Sequence, residues 1–241
     1  MQVVPYKEAR EGKKEQVATM FNNISSKYDF LNHFLSGGID YLWRKKAIKL
    51  LAKESPKKIL DVATGTGDFA IEALKLNPEK IIGIDISEGM LSVGREKIKK
   101  IGADKIIELQ KGDSENIKFE DNYFDAGIVS FGVRNFENLE KGLQEMRRVL
   151  RNDGTIVVLE FSKPQGFFFK RIFSFYFKYI LPAIGRIVSK DTSAYTYLPE
   201  SVDKFPFGQD FLNILSKVGF KSTRCISLTF GIASIYIGKK A

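Results

Sequence analysis

The stretch that most constrains this chain is Lys58-Ile59-Leu60-Asp61-Val62-Ala63-Thr64-Gly65-Thr66-Gly67-Asp68. A short apolar run closes on an acid and opens into a glycine turn. The turn feeds Phe69-Ala70-Ile71-Glu72-Ala73-Leu74, whose apolar spacing is that of a helix. Strand, tight turn and helix in that order make a ligand-binding corner of an α/β sheet. Gly65, Gly67 and Ala70 fit the G-x-G-x-x-A spacing that seats a dinucleotide pyrophosphate on a helix N-terminus. Two acids argue against that ligand, because Asp61 and Asp68 flank the turn and would repel a pyrophosphate. S-adenosylmethionine carries an ammonium and a sulfonium but no phosphate, and suits the turn better.

The chain beyond the corner repeats the pattern. A strand over 80–85 ends in Asp85, and Ser87 can cap the helix that follows. Asp85 lies roughly 20 residues beyond the turn, where an acid takes both hydroxyls of an adenosine ribose. The plainer reading is a capping or loop acid. A third strand over 105–110 leads to Asp113 and Ser114, where the Asp113 carboxylate or the Ser114 amide would meet the adenine. A fourth, over 122–130, brings Ser130, Arg134 and Asn135 to the same sheet edge, where substrate should meet cofactor. A helix over 139–150, a turn at Asn152-Asp153-Gly154 and a strand over 155–161 complete an alternation that specifies a parallel, doubly wound sheet with the opening strand central. A helix over 209–218 precedes two β-rich runs, 222–229 and 232–237, which read as a terminal antiparallel hairpin. The fold class expected is therefore α/β, a Rossmann-like class I methyltransferase sheet, mostly parallel, with helices on both faces.

The first 15 residues are charged and aperiodic and read as a mobile leader without a signal peptide. Short helices are expected over 17–24, 30–35 and 40–53, the first two separated by Ser25-Ser26-Lys27-Tyr28-Asp29. Residues 1–55 would then form a helical cap over the cofactor site of a core spanning 56–241. Within that core, 165–190 breaks the rhythm: Phe167, Phe168, Phe169, Phe173, Phe175, Tyr176, Phe177 and Tyr179 crowd around Lys170, Arg171 and Lys178. An aromatic, basic helix of this kind lies at a membrane interface or roofs an apolar pocket, whereas its charges argue against spanning a bilayer. Packing into the core is the plainer alternative.

Composition narrows the partners. With 38 Lys and Arg against 29 Asp and Glu, the chain carries a formal charge of +9, which points to an anionic partner or simply to solvated helix faces. The single cysteine, Cys225, excludes an internal disulfide, and the single histidine, His33, leaves no metal cluster to expect.

Longer motifs carry a more specific resemblance. Tyr28-Asp29-Phe30-Leu31-Asn32 is followed by Leu35-Ser36-Gly37-Gly38-Ile39 and Trp43. Further on come Ser130-Phe131-Gly132-Val133-Arg134-Asn135, Arg148-Val149-Leu150, Leu159-Glu160-Phe161-Ser162-Lys163-Pro164 and Tyr197-Leu198-Pro199-Glu200-Ser201-Val202 with Phe205-Pro206. In these the chain resembles, nearly end to end, the UbiE/MenG/Coq5 family of quinone C-methyltransferases. It departs at Asn152-Asp153-Gly154, where the family has a Pro-Gly-Gly turn. The resemblance implies methyl transfer from S-adenosylmethionine to a ring carbon of a polyprenylated quinol, 2-demethylmenaquinol ahead of a ubiquinone-branch benzoquinol. It implies cofactor contacts at Thr66, Asp85, Asp113, Ser114 and Ser130, to which the corner itself adds Asp61, Gly65, Gly67 and Ile86.

On the substrate side, Arg134 is the candidate to hold a developing oxyanion, its plainer role being a salt bridge to Asp85, Glu137 or Glu160. A bound water or Tyr195 would serve as base. Tyr28 and Asp29 would close the cap over the sulfonium, and Asn135, Phe168 and Tyr176 would face the quinol and its tail. A cytoplasmic enzyme peripherally bound to anionic membrane is expected, and a homodimer is allowed. An NAD-dependent oxidoreductase is disfavoured by Asp61 and the terminal hairpin. Nucleic acid as partner, including an RNA methyltransferase, rests on charge alone.

Overall fold

The computed structural model describes residues 2–164, 166, 171, 175 and 193–241, leaving aside the side chains of 30–35 and 195. Inside its sheet lies β1 (Lys58–Val62), which pairs in parallel with β2 (Lys80–Asp85) on one side and β4 (Phe124–Ser130) on the other. Parallel strands β3 (Ile107–Lys111) and β5 (Leu150–Phe161) flank these. The sheet ends with β7 (Ala233–Lys240), antiparallel to β5, and the edge strand β6 (Phe220–Leu228), giving the order β3-β2-β1-β4-β5-β7-β6. The order in which strands are laid down reverses between β1 and β4. Loops leaving the C-terminal ends of β1 to β4 therefore face one crevice.

Strands buried on both faces read as continuous apolar runs, and the period of two divides them between two cores. Ile59, Ile81, Ile128 and Val157 pack one way, against Trp43, Ala47, Ile48 and Leu51 of α2 (Ile39–Leu51), Phe69 of α3 (Asp68–Ala73) and Leu91 and Ile98 of α4 (Glu88–Lys100). Leu60, Ile82, Val129 and Val158 pack the other way, against Leu143 and Met146 of α5 (Leu139–Val149) and Phe211 and Leu215 of α7 (Gln209–Lys217), while α6 (Ser193–Lys204) precedes α7 in the chain. The third helix of the expected cap, over 40–53, thus belongs to the sheet's own cover.

Three expectations are corrected. The two N-terminal helices are one, α1 (Lys13–Ser36), because the polar residues expected to break it find partners: Ser25 donates to the Asn22 carbonyl, and Asp29 accepts from neighbouring elements. Tertiary contacts here outweigh intrinsic propensity. The leader is fastened: the Tyr6 amide donates to Gln16 Oε1, Gln16 Nε2 to the Glu11 carbonyl and Gln2 Nε2 to the Glu137 carbonyl. Asn152-Asp153-Gly154 lies inside β5 as a bulge, where the partner of β4 jumps from Leu150 to Thr155 and Asp153 takes a positive φ of 61°. Almost all of the aromatic stretch, including Phe168 and Tyr176, lies outside the described residues.

The corner also depends on a close approach by α4. A Cβ on Gly94 would lie 2.5 Å from Leu109 Cδ1 and 3.0 Å from the Thr66 carbonyl. The leucine can swing aside, but the turn backbone cannot. Alanine's helix preference is worth about 1 kcal/mol, against about 1–3 kcal/mol for overpacking. Gly94→Ala should therefore lower the melting temperature, and an unchanged or higher value would show that the contact has slack.

Candidate active site

The glycine turn adopts the left-handed backbone its composition allows, with φ of 57° at Gly65 and 82° at Gly67, and Gly67 caps α3. The end of β1 is tied to β2 through the Thr64 amide and the Ile84 carbonyl (3.0 Å). Asp85 completes the tie: Oδ2 accepts from the Gly65 amide and Oδ1 from the Ser87 amide, both at 2.8 Å. Burial pushes its carboxyl above the ordinary value, and these amides oppose that shift. Ser87 caps α4 as expected, its hydroxyl accepting from the Met90 amide at 3.3 Å.

A cleft opens between this corner and α1. Gly65, Asp85, Ile86, Asp113, Ser114 and Asn135 line it from the sheet side, and Val17, Phe21 and Tyr28 from α1. Six residues singled out from sequence are thus brought together on one wall, and Tyr28 faces them. The cavity volume is about 60 Å³. Ligand pockets run roughly 300–1,000 Å³, so side chains on the α1 wall, Lys14 among them, must turn aside to admit a nucleoside-sized ligand. The N-terminal end of α1 is anchored by the buried Lys13, whose Nζ donates to the Arg134 and Phe136 carbonyls at 3.0 and 2.9 Å, and is held across the cleft by Lys14, whose Nζ lies 2.8 Å from Asp113 Oδ2, while Asp113 Oδ1 accepts from the Glu115 amide at 2.9 Å. Both groups of that ion pair are partly exposed, and such pairs are worth about 0–1 kcal/mol.

The other expected residues stand apart from the cavity wall. Asp61 is fully buried beneath the turn, where Oδ2 accepts from the Thr64 hydroxyl at 2.7 Å. Its Oδ1 has no well-formed hydrogen bond, although the Ala70 amide lends some stabilisation. Burial raises its pKa to about 7, the Thr64 bond opposing and the Asp85 charge reinforcing that shift. Asp68 is neutralised by protein cations, Lys97 Nζ at 2.5 Å and Arg44 Nη2 at 3.7 Å. The Thr66 hydroxyl donates to Asp29 Oδ1 at 2.5 Å, so only its backbone is available to a ligand. Ser130 ends β4 opposite Leu159 and is not part of the cavity wall. Tyr195 sits in α6.

Arg134 takes one of its plainer roles. Its Nη1 donates to the Phe131 carbonyl and, at 2.9 Å, to Glu160 Oε1, both partners of this ion pair being buried. Among the described residues its Nε is buried without a partner, as is that of Arg44. Sequence reasoning assigned no role to three residues. Tyr197 donates to Asn135 Oδ1 at 3.1 Å, and burial raises its phenol to about 12. Lys14 and Lys97 reach the site from helices. No spacing rule marks a helical lysine as inward-facing; the only signal was the acids they neutralise.

Comparison with known proteins follows the same lines. The model of the ubiE/COQ5 methyltransferase family matches residues 9–240. A demethylmenaquinone methyltransferase of Bacteroides fragilis is 50% identical over 240 residues, covering 99% of this chain and 97% of that one. A ubiquinone/menaquinone biosynthesis C-methyltransferase UbiE of Citrifermentans bemidjiense is 46% identical over 230 residues, covering 95% and 97%. Among solved structures, a SAM-dependent methyltransferase of Thermotoga maritima has a TM-score of 0.65 at 20% identity, covering 92% of this chain and 99% of that one, a likeness of fold.

The Asp61 shift has a consequence for stability. An acid whose pKa rises from 3.8 to about 7 on folding keeps its proton in the folded chain at pH values where the unfolded chain has released it. Its contribution therefore falls as pH rises through that window and levels off above about 7. The melting temperature of Asp61→Asn should gain on that of the unaltered chain between pH 5 and pH 8, both ligand-free. A constant difference across that range would contradict the shift.

Proposed function

The chain belongs to the ubiE/COQ5 methyltransferase family, and from that premise we propose that it transfers a methyl group from S-adenosylmethionine to a ring carbon of a polyprenylated quinol, 2-demethylmenaquinol foremost. The observation that carries the cofactor reading is Asp85: a carboxylate at the tip of β2, aimed by two amides and lining the cleft, suits the paired hydroxyls of a ribose. Gly65 leaves room for close approach, Asp113 or the Ser114 amide meets the adenine once Lys14 moves aside, and Ile86 offers an apolar wall. The Asp61 carboxylate, poised near neutrality and short of one partner, supplies negative charge beneath the turn for an ammonium. S-adenosylmethionine contributes an electrophilic methyl on a sulfonium.

Carbon attack needs electron density on the ring, which a quinol has once a hydroxyl proton begins to leave. The ring carbon forms the new bond, sulfur keeps the electron pair of the broken one, and the ring proton departs. Arg134, fixed by Glu160 with its Nε still unbonded, is the donor for the developing oxyanion. A bound water or Tyr195 accepts the hydroxyl proton. Tyr28 and Asn135 flank the head group, and Phe168 and Tyr176 receive the prenyl tail. Contact with anionic membrane belongs to the same reading, supported by the charge of +9 and by Phe175, which is 57% exposed. Among the described residues, no helix is long and apolar enough to cross a membrane. A benzoquinol substrate is the second reading, favoured by the UbiE relative named for both quinones.

Labelled S-adenosylmethionine, offered with demethylmenaquinol or a demethylated benzoquinol in anionic and in neutral vesicles, tests these readings together. Methylated menaquinol as the main product, formed faster on anionic vesicles, is expected; a benzoquinol product would reverse the substrate order, and equal rates would remove the charge argument. For Arg134, alanine would strand Glu160 in the core, so the comparison is Arg134→Met with Glu160→Leu. That pair should lower kcat by about 100-fold, the scale of one oxyanion donor, with cofactor affinity unchanged. Equal losses in both would deny a role in the transition state.

A further inference from the structure

We propose that Lys97 is a positioning residue that clasps α1 to the glycine turn and thereby fixes both walls of the cofactor cleft. Its ammonium lies 2.7 Å from Asp29 Oδ2 on α1, 2.5 Å from Asp68 Oδ1 at the start of α3 and 3.3 Å from Thr66 Oγ1 in the turn. Three acceptors match its three N–H donors. The Thr66 hydroxyl also donates to Asp29 Oδ1 at 2.5 Å, closing a ring of Lys97, Asp29 and Thr66 that joins α4, α1 and the turn. Residues distant in sequence thus meet at one cation whose side chain is 28% exposed.

The ring sits directly behind the site. Thr66 lies between Gly65, which lines the cleft, and Gly67, which caps α3; Asp29 follows Tyr28, which lines the opposite wall. Holding Thr66 to Asp29 therefore sets the separation of Gly65 and Tyr28. Other fastenings of α1 lie further along it, where Asn22 Oδ1 accepts from Ser87 Oγ at 2.7 Å and from the Gly89 amide at 2.9 Å, at the partly exposed Lys14, and at the buried Lys13, whose Nζ donates to the Arg134 and Phe136 carbonyls. Without the ammonium, Asp29 and Asp68 would stand as like charges beside the turn, and Arg44, which also lies near Asp68, is itself 2.5 Å from Asp40. Burial works against the Lys97 charge, but Asp68 and Asp29 more than offset it and hold the lysine protonated above its ordinary range.

The proposal rests on the S-adenosylmethionine reading of the cleft, and calorimetry separates the two: failure of that reading appears as no binding to the unaltered chain. Given such binding, Lys97→Met should weaken the cofactor Kd by about tenfold or more, about 1.4 kcal/mol. Its KM should rise in parallel, with kcat changed by less than about threefold. Lys97→Arg, which keeps the charge, should recover most of the affinity. Asp29→Asn should weaken binding too, and the double variant with Lys97→Met should lose much less than the product of the single losses. A lowered melting temperature in Lys97→Met with cofactor Kd and KM unchanged would overturn the proposal and leave a stabilising ion pair only. Independent, multiplicative losses in the double variant would also overturn it. If Lys97→Met fails to fold, Lys97→Arg and Asp29→Asn still decide: unchanged affinity in Asp29→Asn refutes the clasp.

Discussion

A carboxylate removed from water holds this corner together. Asp85 accepts from the amides of Gly65 and Ser87, one on each side of the β1–β2 junction, and so couples the glycine turn to the start of α4. Burying a charge is costly unless hydrogen bonds replace its lost water. Here two backbone donors do so, which is why the acid can be both structural and exposed to the cleft. The turn's left-handed glycines leave the Gly65 amide free to point at β2, and a parallel neighbour at the correct register brings Asp85 within reach. Much of the site follows from this junction. Ile86 lines the cleft beside it, Ser87 meets Asn22 of α1, and α4 runs back behind the turn with Gly94 against Thr66.

The electrostatics of the turn differ from what its composition suggests. Two acids beside the glycines appeared to favour a cationic ligand, yet Asp68 is balanced by Lys97 and Arg44. Asp61 forms no ion pair among the described residues, Arg44 acting on it only weakly, and burial leaves it only partly ionised near neutral pH. A cationic ligand would draw that carboxyl toward ionisation by linkage. Discrimination against phosphate therefore rests on one buried, responsive acid beneath the turn together with Asp85 beside it, and less on the count of charges around it.

The sheet was legible because buried parallel strands write themselves as apolar runs between turn signals, and the junction of β1 with its glycines has few alternatives. The polar residues at the strand tips were legible for the same reason: position along a strand fixes which edge they reach, and Asp85, Asp113 and Asn135 do meet across one cleft. What the sequence concealed was contact between distant segments. Asp29 looks like a helix breaker until Thr66 and Lys97 supply partners, and the charged leader looks free until Gln16 takes its backbone. Thr66 fits a cofactor contact by position, but its hydroxyl turns toward α1. Such outcomes depend on which side chain arrives opposite, and local pattern carries little information about that.

Arg134 and Glu160 show how far a structural pair can still serve chemistry. A buried ion pair gives little net stability, because desolvating both ions costs about what their attraction returns. It does fix orientation: Glu160, buried at the end of β5, accepts from Nη1 and from the Phe161 amide, so the guanidinium plane is held by a rigid strand. The pairing also keeps the region close to neutral, which suits an apolar quinol ring better than a bare cation would. A buried Nε–H without a partner costs about 1–3 kcal/mol, and the structure carries that cost in the loop next to the cleft. Arg44 also leaves its Nε unbonded while pairing with Asp40, so the vacancy by itself does not mark a catalytic group. What sets Arg134 apart is its place beside Asn135, which lines the cleft: under the proposed function its fork is oriented in advance and keeps a donor for charge that develops on a substrate oxygen.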